Sequence, residues 1–378
     1  MLAYSLVMAG TSTIVLIAGI IGTVIAPSAG LATLPVALTV VGVASATLPT
    51  GKLLDRFGRR MVFQTYVLLA IGSALAAAAS LSYSSFSGFC CCCFLLGWAA
   101  AAGHQYRFAA LEAAPPHLAA KATSVLLLGG LLGAFIGPEL AVRGRWLMAT
   151  EYAGSFLLLA LSYVAGLLVI SFYRDAAVKH QEHQGRGRPI GQILRNPAVI
   201  LAIASAGIAY GIMSLIMTAT PISMHQHTGH NMEATKVVIQ WHIAAMYLPS
   251  LAYGYLSGRL GLRGMLWAGV LTLFASLAAA LSGESVGHYW LALVLLGVGW
   301  NFLFLSGTNL LPHGYRAEER FRVQSVNDFL VFTVQALVAL SSGWLMYRWQ
   351  WHGLLWACVP LLIAYMVLLG RVDRSPSC

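Results

Sequence analysis

Charge is what this chain has least of. Asp, Glu, Lys and Arg make up 9% of its 378 residues, against about 25% in a soluble protein. With 59% hydrophobic residues and a mean hydropathy of +0.77, its surface cannot be kept in water. The scarcity is deepest for acids, with 12 Asp and Glu against 22 Lys and Arg and a net charge of +10. That excess sits in short gaps between apolar runs, a pattern that excludes nucleic acid as a partner and points to a lipid bilayer. The six cysteines are Cys90 to Cys93, Cys358 and Cys378; all but the last fall in apolar runs, which excludes a disulfide framework. No phosphate loop, no paired catalytic carboxylates and no nucleophile with a placed base occur, so an enzyme is not expected. A basic region preceding the first apolar run is also missing, which argues against a cleavable signal.

Apolar runs of about 20 residues recur from end to end. They predict an all-α membrane protein of twelve transmembrane helices, over roughly 3–25, 30–51, 61–82, 86–109, 119–141, 147–172, 197–221, 234–257, 264–282, 288–310, 323–346 and 350–370. The one long polar gap, 173–196, divides a six-helix half (1–172) from a second (197–370), and 371–378 forms a short tail. With both termini cytoplasmic, 18 of the 22 Lys and Arg lie on the cytoplasmic side, and only Arg143, Arg145, Lys236 and Arg348 lie opposite. That asymmetry sets the expected orientation.

The halves repeat. Gly51-Lys-Leu-Leu-Asp-Arg-Phe-Gly-Arg-Arg60 and Gly254-Tyr-Leu-Ser-Gly-Arg-Leu-Gly-Leu-Arg263 both fit G-x-L-x-x-R-x-G-x-R, and Gly97-Trp98 is echoed by Gly299-Trp300. Parallel halves with a substrate site near mid-membrane are a known transporter plan. The first decapeptide resembles the cytoplasmic loop signature of the major facilitator superfamily. That resemblance implies the family's two pseudo-symmetric six-helix halves and alternating access. It also implies a conformational latch of Gly51, Asp55, Arg56, Gly58, Arg59 and Arg60, holding the outward-open state.

Cargo has to be read elsewhere. Met213 and Met217 are four residues apart on predicted helix 7, and His242 and Met246 are four apart on helix 8. That spacing puts each pair on one helix face, one turn apart. Met213 and His242 each lie about eight residues, or about 12 Å, from the outer ends assigned to their helices. Three thioethers and an imidazole make a soft ligand set that selects Cu(I) over Mg, Ca or Mn. Methionine is a common filler of apolar interiors, whereas a histidine inside a membrane helix is costly and usually functional. The same four residues, followed by Thr218-Ala-Thr-Pro221, resemble the CcoA-like copper importers of the superfamily. By that resemblance they are the metal-binding residues, and the imported copper serves cytochrome oxidase assembly, in particular the cbb3 type. No cysteine occurs between Cys93 and Cys358, a departure that leaves no thiol near the second-half site.

The loop between those helices holds Met224, His225, His227, His230 and Met232, which read either as an outer capture site or as a neutral polar loop. Cys90 to Cys93 read as small filler or as accessory thiolates. His104, Gln105 and Arg107 cluster at the inner end of helix 4 with Glu112 just beyond, and Asn327 and Asp328 lie at the inner end of helix 11. Arg107, Glu112 and Asp328 are candidates for an inner gate, or else anchors at the lipid interface. Glu139 and Glu151 near the outer face are candidate proton carriers. Pro221 and Pro249 are expected to bend helices 7 and 8.

The sequence thus predicts an inner-membrane copper importer of bacterial type, a monomer that hands Cu(I) to a cytoplasmic copper chaperone. Copper is its substrate, and no cofactor is expected. A proton-coupled exporter of a drug or metal chelate is the alternative, and a membrane copper sensor a further one.

Overall fold

The computed structural model describes residues 1–106, 109, 119–173, 188–316 and 319–373. Arg107 and Glu112 of the expected inner gate, most of the basic linker and Cys378 lie outside them. Within them the chain is almost wholly helical, as apolar segments in a bilayer must be to satisfy their own backbone.

Helix α1 is Leu2–Ile25. One continuous rod, Leu34–Ser82, is divided at Gly58 (φ 76°, ψ 166°) into α2 (34–57) and α3 (59–82). Next come α4 (Phe86–His104), α5 (Ala119–Gly144) and α6 (Ala153–Ser171). After a single turn at Ile190–Ile193, α7 spans Pro197–Ile222. Helix α8 starts at Met232 and breaks after Tyr247. The rod Ser250–Leu281 is divided at Gly261 (φ 69°, ψ 169°) into the remainder of α8 (250–260) and α9 (262–281). Helix α10 is Val286–Leu310. The last rod, Arg320–Asp373, turns at Gln350 (φ 56°) into α11 (320–349) and α12 (351–373). Among the described residues these are twelve helices, the expected fold class.

The repeated decapeptide has a concrete role in this geometry. Its second glycine is Gly58 in one half and Gly261 in the other, and both occupy the left-handed, extended corner that only glycine enters cheaply. The expected loops are therefore helical up to a one-residue corner. Arg59 and Arg60 then reach the carbonyls of Gln105 (3.5 Å) and Ser171 (2.9 Å), at the ends of α4 and α6 in their own half. The Arg56 guanidinium lies over the Phe57 ring, and Gly51 is helical in open space. The Asp55 side chain lies outside the described residues.

Local signals set several helix starts. Asn196 accepts from the Ala198 amide ahead of Pro197, Asn231 accepts from the Ala234 amide, and Ser285 caps α10. Each satisfies an amide the helix leaves orphaned. Proline explains the break in α8: Pro249 has no amide to give, so the helix pauses at 248–249 before Ser250. After Pro221, α7 widens into one π-helical turn over Ser223–His227.

Among the described residues, three helix-to-helix contacts join the halves on the face opposite the 173–196 linker. Between α5 and α8, Lys236 Nζ lies 2.8 Å from Glu139 Oε1, and Gln240 Nε2 donates to the Phe135 carbonyl at 3.2 Å. Between α2 and α11, Ser342 Oγ donates to Thr33 Oγ1 at 3.3 Å, and a Cβ on Gly343 would meet the Gly30 carbonyl at 2.8 Å. Between α1 and α7, Gly19 packs against Ile222. Those three helix pairs seal that face.

Candidate functional site

Behind that seal, between the halves, lies a cavity of about 170 Å³. Helix α1 contributes Met8, Thr11 and Ser12, and α2 contributes Thr39. From α7 come Tyr210, Met213, Ser214, Met217 and Thr218; from α8, Ile243, Met246 and Tyr247. Trp300 of α10 and Phe332 and Gln335 of α11 complete the second-half wall, and His104 of α4 closes the first. Four thioethers therefore share one space, and among the described residues no Asp, Glu, Lys or Arg lines it. Such a wall cannot serve a hard dication, which demands carboxylate and carbonyl oxygen. Sulfur, hydroxyl, amide and aromatic faces suit either a soft monovalent cation or a neutral polar aromatic molecule.

Of the four residues expected to bind metal, Met213, Met217 and Met246 line this cavity. His242 does not, a correction to the expectation that both pairs aim at one spot. Its ring is fully buried, and Nδ1 donates to the Leu293 carbonyl of α10 at 2.7 Å. The reason lies in helix geometry, since residues four apart are offset by about 40° around the axis. Met246 faces the cavity while His242 is turned into the α8–α10 seam. Gly297 permits that seam to be tight: a Cβ there would come within 2.6 Å of the His242 carbonyl.

The histidine's hydrogen bond has a chemical consequence. A carbonyl only accepts, so Nδ1 carries the proton and Nε2 of the neutral ring holds a lone pair. That Nε2 is buried without a partner, at a cost of about 1–3 kcal/mol. A ring fixed through Nδ1 with a bare Nε2 is the arrangement of many metal-ligating histidines.

The outer capture loop is not assembled as an open site. Met224 and Met232 are buried, because the π-helical turn extends α7 and tucks Met224 inward. His225 Nδ1 donates to the His230 carbonyl (3.1 Å), and His230 Nε2 to the Glu284 carbonyl (2.8 Å). Of the five, His227 alone is exposed. The cysteine run packs between helices instead of lining the cavity: Cys90, Cys92 and Cys93 are buried and Cys91 is exposed. Glu139 is held by Lys236 and Arg143, and Glu151 by Arg145. Asp328 lines a smaller cavity on the linker side, where Asn327 Nδ2 donates to it at 3.1 Å.

Two features of the site were missed in the sequence. Met8 has no thioether partner on its own helix to mark it. Trp300 is the echo of Trp98, but the two differ in place: Trp98 Nε1 donates to Ser45 at 2.8 Å, while Trp300 Nε1 is buried with no partner on the cavity wall.

The family profile described as Major Facilitator Superfamily matches residues 1–339. The chain belongs to the major facilitator superfamily. Within it, the chain is 34% identical over 359 residues to the riboflavin transporter RfnT of Brucella anthropi, covering 94% of this chain and 90% of that one. It is 32% identical over 334 residues to the uncharacterized transporter YddS of Bacillus subtilis, covering 84% and 76%. Among solved structures, it superposes on the xylose transporter XylE from E. coli, in a partially occluded inward-open conformation, with a TM-score of 0.71 at 13% identity over 98% and 97% of the chains. A bacterial homologue of ferroportin in its outward-facing state gives 0.65 at 18% identity over 99% and 98%. At those identities the superpositions carry the fold alone. Membership makes the protein a multi-pass transporter that works by alternating access.

Proposed function

We propose that this transporter imports copper as Cu(I) across a bacterial inner membrane. The linker face is cytoplasmic on the Lys and Arg distribution. The observation that carries the reading is the gathering of Met8, Met213, Met217 and Met246 on one uncharged cavity, beside the helix turn where His242 presents a bare, enclosed Nε2. Thioethers hold Cu(I) by softness without fixed negative charge, and each is weak enough to let the ion leave. His242 joins them when α8 rotates against α10, a movement that the break at Pro249 makes local to one half-helix. Release toward the linker face delivers Cu(I) to a cytoplasmic thiol carrier for oxidase assembly, in particular the cbb3 type. The working unit is a monomer in the lipid bilayer. Copper accumulation in cells producing wild type, Met213→Ala or His242→Ala tests this. Both variants are expected to fall to the level of cells lacking the transporter, and wild-type accumulation in both would remove the thioether and imidazole site from the account.

A second reading is supported by the likeness to the riboflavin transporter across nearly the whole chain. The cavity offers that cargo aromatic faces at Tyr210, Trp300 and Phe332, and an unpartnered indole N–H at Trp300. Riboflavin uptake sensitive to Trp300→Phe and indifferent to Met213→Ala would favour it. A proton-driven exporter would depend on Glu139 or Asp328 more than on Met213, and a copper sensor would bind the ion without passing it.

A further inference from the structure

Helix α8 is broken beside the cavity, and one side chain from α10 bridges the break. The Leu248 amide ends the outer half-helix (232–247) by donating to the Ala244 carbonyl at 2.9 Å. The next carbonyls, of Ala245 and Met246, would take the amides of residues 249 and 250, and Pro249 has none. In a bilayer no water replaces a missing donor. Asn301 supplies one: its Nδ2 lies 2.7 Å from the Met246 carbonyl and 2.8 Å from Ser250 Oγ. One nitrogen thus gives one hydrogen to the outer half-helix and the other to the inner half (250–260). Turning the amide over would set Oδ1 against the Met246 carbonyl, two acceptors face to face, so the nitrogen has to point at the break. Asn301 is 2% exposed, and its Oδ1 is buried with no partner. An apolar side chain would pack here without that orphaned oxygen, so what asparagine contributes is its pair of hydrogens.

We infer that Asn301 is a positioning residue for alternating access: it clasps the break in α8 and so holds the face opposite the linker shut. The outer half-helix carries Lys236 and Gln240 onto α5, where they form part of the seal, and Met246 onto the cavity. The inner half has its own tie to α10, between the Tyr253 and Ser306 hydroxyls at 2.8 Å, and stays on α10 when the break opens. Releasing the Met246 arm of the clasp leaves the outer half tied to α10 by His242 and Leu293, and free to bend away from α5 at 248–249. Met246 joins gate to cavity. Its side chain lines the central space while its carbonyl is the clasp's outer arm, so whatever presses on that residue from within bears directly on the clasp. The clasp works for either cargo considered above.

The test uses the full-length protein in membrane vesicles, with single cysteines in an otherwise cysteine-free chain and a membrane-impermeant maleimide as the probe. Thr218→Cys reports the central cavity from the face opposite the linker, and Thr47→Cys reports the smaller cavity from the linker side. Asn301→Leu keeps the volume and removes both hydrogens. Its rate at Thr218→Cys is expected to rise about tenfold, as for loss of a pair of modest hydrogen bonds, while its rate at Thr47→Cys does not rise. A merely loosened bundle would raise both. Ser250→Ala removes the inner arm alone and should shift the first rate the same way by less; it decides the matter should Asn301→Leu not fold. Pro249→Ala gives the break a backbone amide, and in that background Asn301→Leu should change the rate at Thr218→Cys by less than twofold. Rates within twofold of the parent in every variant that folds, a rise from both faces, or a full effect in the Pro249→Ala background would each overturn the clasp.

Discussion

Breaking the seal on the face opposite the linker should expose the central cavity from that side, and the structure sets how far. Lys236 Nζ is 2.8 Å from Glu139 Oε1, with side-chain exposures of 11% and 37%. At that separation two unit charges interact by about 6 kcal/mol at an effective dielectric near 20, before desolvation is subtracted. Each partner also keeps another: Lys236 lies 2.6 Å from Glu233, and Glu139 lies 3.0 Å from Arg143. A pair of one buried and one partly exposed charge, each with an alternative partner, retains only part of that energy, so Lys236→Met should cost the sealed state about 1–2 kcal/mol. That is a shift of about 5- to 30-fold in the ratio of open to sealed molecules. A cysteine placed at Thr218, on the cavity wall, in an otherwise cysteine-free chain reports it through its rate of alkylation by a membrane-impermeant reagent. The rate from the face opposite the linker should rise by that factor in Lys236→Met, and adding Glu139→Gln should raise it no further, since both act through one contact. A rate unchanged within twofold, or an equal rise from the linker side, would refute the assignment of this pair as part of the seal.

Packing between α2 and α4 gives a second prediction. A Cβ on Gly97 would fall 2.0 Å from the Thr39 carbonyl, so Gly97→Ala should lower thermal stability by an amount equivalent to about 1–3 kcal/mol, measured by melting of the purified protein. A third concerns the loop between α10 and α11. The Arg188 side chain, then the Arg316 and Arg188 amides, hold the Glu319 carboxyl down from its ordinary 4.5 to about 2. A depressed carboxyl stabilises above its unfolded value and loses that contribution only as the pH falls toward the folded one. Hydrogen-exchange protection of residues 188–194, corrected for intrinsic rates, should therefore be equal at pH 8 and pH 5 and be lost in Glu319→Gln at both. A fourth is that Gly261→Ala, at φ 69°, should impair folding more than Gly254→Ala, where the backbone is helical and the space open; expression and melting compare them.

Fold and site were legible to different depths, and the reason differs by residue. Twelve apolar runs declare twelve helices because a bilayer leaves the backbone no alternative, and the echo between Gly58 and Gly261 marked the corners that join α2 to α3 and α8 to α9. The corners proved shorter than the loops expected, since a single left-handed glycine suffices. Pro249 announced the break in α8. The thioethers of helix 7 could be read because four-residue spacing survives into a shared face. His242 shows where that reasoning stops: a 40° offset is enough for a neighbouring carbonyl, here Leu293 from 51 residues away, to capture the ring. The place of Met8 depends on which helices meet across the halves, and no periodicity within one helix records that. The histidines between α7 and α8 looked free in sequence, but two of them bond to backbone carbonyls once the loop folds.

The most direct measurement is uptake of radioactive copper and of radioactive riboflavin, side by side, by vesicles of one preparation containing this protein. Copper entry above that of empty vesicles, abolished by Met213→Ala with Met217→Ala, and no riboflavin entry is the predicted result. Riboflavin entry that survives loss of both methionines, with no copper entry, would contradict the account.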